Sequence, residues 1–161
     1  MLTTVKIRPM IDKEKAEVMK ILLTTPEFTI SEVEVAEELI DSYLEYDTTS
    51  GYHILVAEVA QTPAGYICYG PTPLTEGTWD IYWLAVAFRR QRQGIGRTLL
   101  AAAEDRIRET YGRLILIETS SRVEYERTRL LYGSQGYDII SRIPDFYSPG
   151  DDKIVFQKSL G

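Results

Sequence analysis

Residues 78–119 read as strand, glycine turn, helix and strand without a break. Thr78–Val86 is a long aromatic and aliphatic run. Gly94 and Gly96 open a stretch to Tyr111 in which Ile95, Leu99, Ala103 and Ile107 share one helical face, and Gly112 ends it. Leu114–Thr119 is a second apolar strand. A strand, a crossover helix and a neighbouring strand require a parallel pair.

Antiparallel signals lie on both sides of this unit. His53–Val59 and Gly65–Tyr69 read as a hairpin turned at Gln61–Ala64. Tyr137–Ile143 and Lys153–Lys158 read as a late pair, separated by a loop at Pro144–Asp152. Upstream, Thr4–Arg8 is a strand. Asp12 caps a helix to Leu23, with Ala16, Met19 and Leu23 as its apolar face. Ser31 with Glu34 is a capping-box signal for a helix reaching Tyr46. Tyr125–Gln135 is a short helix closed by Gly136. The class is α/β (α+β). The expectation is a mixed, mostly antiparallel sheet of about six or seven strands with about four helices. The 161 residues suit one domain, 1–161.

The glycine turn, Gln91-Arg92-Gln93-Gly94-Ile95-Gly96-Arg97, carries the chemistry. Two glycines one residue apart let backbone approach a ligand closely. The first N–H groups of a helix lack internal partners and sit at its positive end, which makes an anion site. Arg89, Arg90, Arg92 and Arg97 surround the turn in a chain of net charge −6. A pyrophosphate is the natural guest. A P-loop would need Gly-Lys-Ser/Thr, which is lacking. A dinucleotide fold would place its third glycine at Leu99, where bulk obstructs helix–strand packing, although Glu118 stands at a suitable distance for a ribose. The acidic balance argues against a nucleic-acid partner.

The turn resembles the acetyl-CoA pyrophosphate signature of the GNAT acetyltransferases, with Gln91, Gly94 and Gly96 at its fixed positions. Leu131-Tyr132-Gly133-Ser134-Gln135-Gly136-Tyr137 resembles a second family segment, and the order of elements agrees over nearly the whole chain. Tyr125 stands where many members carry asparagine. The resemblance implies acetyl-CoA as cosubstrate. Gln91, Arg92, Gln93, Gly94, Ile95, Gly96 and Arg97 would hold the pyrophosphate. Leu84, Ala85 and Val86 would line the pantetheine arm on a strand that splays from its parallel neighbour, for which a bulge is one device.

Acetyl transfer to an amine needs a neutral nucleophile, a stabilised thioester oxygen and a proton for the departing thiolate. Tyr132 matches the family's acid. Asp80 lies where some relatives carry a base, with Glu118 and His53 as alternatives. Direct attack in a ternary complex requires no metal, and no His/Cys/Asp cluster has metal-ligand spacing. By resemblance, the acceptor site draws on the Pro144–Asp152 loop. Asp145, Asp151 and Asp152 would attract an ammonium group, Phe146 and Tyr147 would wall a pocket, and Arg142 or Arg122 would pair a carboxylate. A small-molecule amine, such as an amino acid, is the expected acceptor. The alternative function is a non-catalytic acyl-CoA-binding regulatory domain.

The lone Cys68 forbids an intrachain disulfide and reads as a small buried strand residue. No signal-type apolar core or run of membrane-span length is present. The expected setting is cytoplasmic, without a membrane partner, and a homodimer is compatible with the reading.

Overall fold

A computed structural model describes residues 4–161. Its elements, in chain order, are β1 (Val5–Pro9), α1 (Lys15–Thr24), α2 (Ile30–Tyr46), β2 (His53–Val59), β3 (Thr62–Pro71), β4 (Thr78–Val86), α3 (Ile95–Glu109), β5 (Leu114–Ser120), α4 (Glu126–Ser134), β6 (Asp138–Ser148) and β7 (Asp151–Ser159). The strands form one sheet of seven, in the order β1-β2-β3-β4-β5-β7-β6. Only β4 and β5 pair in parallel; every other neighbouring pair is antiparallel. No described helix is long and apolar enough to cross a membrane.

Strand alternation explains the two layers of core. Along β2 and β3, Leu55 and Ile67 face α3, where Leu99, Ala103 and Ile107 are buried. Their neighbours Val56, Tyr66 and Cys68 face α1 and α2, where Val18, Leu22 and Ile40 close the opposite layer. Both faces are covered, so these central strands are apolar nearly throughout. Cys68 is buried among them, and burial pushes its thiol well up.

Several local expectations change. The buried face of α1 is Val18, Ile21 and Leu22; Ala16 and Leu23 are exposed and Met19 is only partly covered. The spacing was helical, but the stripe carrying two β-branched residues and Leu22 buries more apolar surface. Helix α2 begins earlier, because Thr29 rather than Ser31 caps it. The Thr29 hydroxyl accepts from Glu32 N at 3.1 Å, and the Glu32 carboxylate accepts from Thr29 N at 3.2 Å. The first hairpin turns tightly at Ala60 and Gln61, both at positive φ, so β3 starts at Thr62. The segment 144–152 is not a loop. It continues β6 and starts β7 around a turn at Pro149–Gly150, with register shifts absorbing its prolines.

Glycine spacing matters at the β2–β3 crossing. A Cβ built on Gly70 would lie 2.1 Å from the Gly51 carbonyl oxygen. Backbone cannot yield as a side-chain tip does. Gly70→Ala should lower unfolding stability by about 3 kcal/mol in urea titration; a loss below about 1 kcal/mol would show that the segment around Gly51 moves freely.

Candidate active site

The sheet opens where β4 changes partner. Pairing between β4 and β5 runs from Thr78↔Leu114 to Ile81↔Ile117 and stops there. Beyond that point β4 stays with β3 as far as Val86, while β5 stays with β7 as far as Ser120. The register of β3 on β4 jumps from Tyr69↔Ile81 to Cys68↔Trp83, leaving Tyr82 as an extra residue. A bulge bends its strand. This one falls beside the last β4–β5 pair, so the two strands diverge into a wedge. The β4 edge turned toward β5 therefore has no strand partner along Leu84, Ala85 and Val86.

A cavity of about 900 Å³ occupies the wedge and extends between α2 and the β6–β7 hairpin. Asp80, Leu84, Glu118, Tyr132 and Tyr147 all line it, so these expected site residues from four elements meet in one space. Asp145 does not. Its carboxylate accepts from Gly150 N at 2.8 Å, and its own N donates to Asp152 Oδ1 at 2.9 Å. It shapes the hairpin turn at positive φ instead of facing the cavity. Asp152 is likewise held by Arg142 at 2.7 Å.

At the mouth of the wedge lies the glycine turn. Gly94 takes φ +80, a left-handed conformation that favours glycine, and hands over directly to α3. No side chain caps that helix, and its first internal bond is Thr98 N to Gly94 O, at 3.0 Å. The N–H groups of Ile95, Gly96 and Arg97 are thus the free donors of the helix end. A Cβ on Gly96 would stand 3.3 Å from Leu131 Cδ2 and 3.7 Å from Val86 Cγ2, so the absent side chain keeps a narrow approach between α3, α4 and β4. Gln91 serves as a tie: its Nε2 donates to Val86 O at 3.3 Å, and its Oε1 accepts from Arg127 at 3.0 Å. Gln93 Nε2 donates to Arg89 O at 3.4 Å. Arg92 and Arg97 are exposed. An uncapped helix end, bare glycine and surrounding arginines fit the doubly charged pyrophosphate of a CoA thioester.

The candidate acid and base have unlike surroundings. Tyr132 sits on α4, 5% exposed, edge-on to Phe156 at 5.5 Å, and burial holds its hydroxyl above the ordinary tyrosine range. Asp80 is half-buried. Burial raises its carboxyl, the Thr72 hydroxyl donating at 2.6 Å opposes this, and the charge of Glu118 adds to the rise. Glu118 is itself engaged by Lys153 at 2.9 Å. His53 lies on the other side of the sheet end, stacked on Tyr69 at 5.2 Å, and does not line this cavity. Among the described residues no group of His, Cys, Asp or Glu is placed to hold a metal ion.

Other lining residues have no sequence motif. Phe28, Tyr52, Trp83 and Glu32 come from segments distant in sequence. Tyr125 donates its hydroxyl to Glu32 Oε2. The capping pattern at Thr29 and Glu32 was the one signal that could have marked Glu32.

Residues 16–137 match the acetyltransferase (GNAT) family. A protein from Desulfovibrio desulfuricans assigned to that family superposes with a TM-score of 0.93 at 41% identity, covering 98% of this chain and 100% of the other. The ribosomal-protein-S18-alanine N-acetyltransferase of Escherichia coli gives a TM-score of 0.79 at 16% identity, covering 98% and 95%. The yncA protein of Salmonella typhimurium, solved with its cofactor acetyl-CoA, gives 0.78 at 20%, covering 98% and 94%. At the two lower identities the likeness is one of fold. No match was found among curated proteins.

Proposed function

The chain belongs to the GNAT acetyltransferase family, and we propose that residues 1–161 act as one domain that N-acetylates a primary amine of a small molecule by direct attack in a ternary complex. The observation that carries the reading is the wedge. Tyr132, Asp80 and Leu84 line its cavity, and beyond Leu84 the β4 edge continues without a strand partner to Val86, which lies beside the uncapped end of α3. Acetyl-CoA, when bound, supplies the acetyl group and a thiol leaving group.

The free N–H groups at Ile95, Gly96 and Arg97 hold the pyrophosphate, helped by the arginines about the turn. The β4 edge at Leu84, Ala85 and Val86 binds an extended amide-bearing arm as a strand would. This fixes the position of one reactant, and the cavity walls fix the other, which lowers the entropic part of the barrier. A tyrosine hydroxyl with its ordinary pKa of about 10 is already protonated at neutral pH, so Tyr132 can donate to a departing sulfur. Burial raises the hydroxyl further and makes it a weaker acid, so donation depends on the thiolate charge developing beside it. Asp80 accepts the amine's proton, directly or through water.

Free CoA release should accompany formation of an N-acetylated product when acetyl-CoA is mixed with primary amines. Binding of acetyl-CoA without turnover across a broad amine panel would instead favour a regulatory acyl-CoA-binding domain. Tyr132→Phe removes one hydroxyl from a packed site. It should lower kcat about 10-fold with acetyl-CoA affinity little changed, since the lost interaction matters most in the transition state. A kcat within about twofold of the parent enzyme would remove Tyr132 as the acid.

A further inference from the structure

We propose that the acceptor half of the cavity selects a primary amine carried on an apolar or aromatic body and rejects amines that bear a carboxylate beside the nitrogen. This rests on the acetyl-transfer reading above and narrows its substrate class.

Charge gives the first argument. Glu32, Asp80, Glu118 and Asp151 line the cavity, against Arg122 as the single lining cation among the described residues. The wall is thus acidic and draws in an ammonium group. An amino acid would need a free cation for its carboxylate, and Arg122 is not free. Its Nη2 donates to Glu32 Oε1 at 2.8 Å and to Glu27 O at 3.0 Å, which uses both hydrogens on that nitrogen. Its Nε lies 3.5 Å from Asp151 Oδ2. Both fork edges of a guanidinium that could grip a carboxylate include Nη2, so bidentate capture is closed. The carboxylates are engaged as well: Asp151 accepts from Ser120 at 2.5 Å, and Glu118 holds Lys153. Asp80, which accepts from the neutral Thr72 hydroxyl, is the one lining carboxylate without a cationic partner among the described residues. A substrate carboxylate would enter an acidic space whose lining cation offers it no fork, only the Nη1 hydrogens on one side, which costs desolvation and repulsion.

Shape gives the second argument. Phe28 packs edge-on to Trp83 at 5.4 Å and lies 6.1 Å from Tyr125; Tyr52 packs edge-on to Tyr82 at 5.5 Å. All five rings, with Val35 and Leu39 of α2, face the cavity. Such rings bury apolar surface and favour a cation over their faces. A polyamine carries little apolar surface to bury against these rings and is poorly matched to them.

The test needs only the full chain, acetyl-CoA and matched acceptors, following free CoA. Phenethylamine should exceed phenylalanine in kcat/KM by about 100-fold, with phenylalanine amide much nearer the amine because it lacks the negative charge. Phenethylamine should also exceed ethylamine, and Phe28→Ala should cut that preference about 10-fold. Turnover of phenylalanine, alanine or spermidine at or above the phenethylamine rate would overturn the inference while leaving acetyl transfer intact. An unchanged phenethylamine-to-ethylamine ratio in Phe28→Ala would overturn the aromatic wall as its cause. Failure of every amine, in a protein that binds acetyl-CoA by calorimetry, would overturn the acetyl-transfer reading itself and this inference with it.

Discussion

Gly96→Glu should weaken acetyl-CoA binding at least about 100-fold while the protein stays folded. The position is the second residue of α3, where the helix N–H groups are free and no side chain caps them. A glutamate there supplies its own carboxylate to that helix end, so it competes with the pyrophosphate and repels it. The Cβ approaches Leu131 Cδ2 at 3.3 Å, and that methyl belongs to a flexible side chain that can shift by a few tenths of an ångström. An acidic residue in the first turn also favours the helix itself. Circular dichroism and thermal unfolding should therefore match the parent chain closely, and the loss should show in calorimetry with acetyl-CoA. Gly96→Ala is the control: it adds the Cβ without the charge and should cost much less affinity. Equal binding by the Gly96→Glu protein would detach the pyrophosphate from this helix end.

The strand–turn–helix–strand core was legible because its signals are local. Ile95, Leu99, Ala103 and Ile107 repeat at helical spacing, and all four are buried. The order of elements follows from such signals too. Helix α1 was harder to orient, because ten residues of mixed apolar type offer more than one stripe; only packing against Val56 and Tyr66 selects Val18, Ile21 and Leu22. The hairpin at 144–152 was misread because prolines usually break strands. Here Pro144 lies on an edge strand in a stretch of shifted register, where a missing N–H costs no ladder bond. Strand β6 is the sheet edge and exposed along nearly its whole length, so its alternation carries little burial signal.

The site divides in the same way. The helix end and glycines are a contiguous motif, and their backbone geometry follows from residue type. The acceptor walls are assembled by the sheet's topology from residues far apart in sequence, such as Phe28 with Trp83 and Glu32 with Arg122. No spacing rule links them. Of the three hairpin aspartates that charge alone marks as an ammonium trap, Asp151 lines the cavity, whereas Asp145 and Asp152 are tied within the hairpin by hydrogen bonds that the sequence does not display. Asp145 is turned to Gly150, while Glu118 and Asp80, two strand residues without any charge run around them, face the cavity.

Asp80→Asn should lower kcat/KM by about 100-fold or more and erase the acidic limb of its pH profile. The amide is nearly the same size and can still accept the Thr72 hydroxyl, so the packing around β4 should survive. What is lost is a group able to take a proton. In the folded protein burial is the main cause that raises the Asp80 carboxyl, and the Glu118 charge adds to it. A base works only when deprotonated. Activity should therefore fall as pH drops through a value above that of an ordinary aspartate, and recover as pH rises past it. Glu118→Gln separates the contributions: removing the neighbouring charge should move that limb to lower pH without abolishing it. The pair of variants discriminates between the two carboxylates. If Asp80→Asn keeps the limb and Glu118→Gln removes it, the base is Glu118, released from Lys153 during turnover; if both keep it, the proton leaves the amine before binding and neither carboxylate is the base.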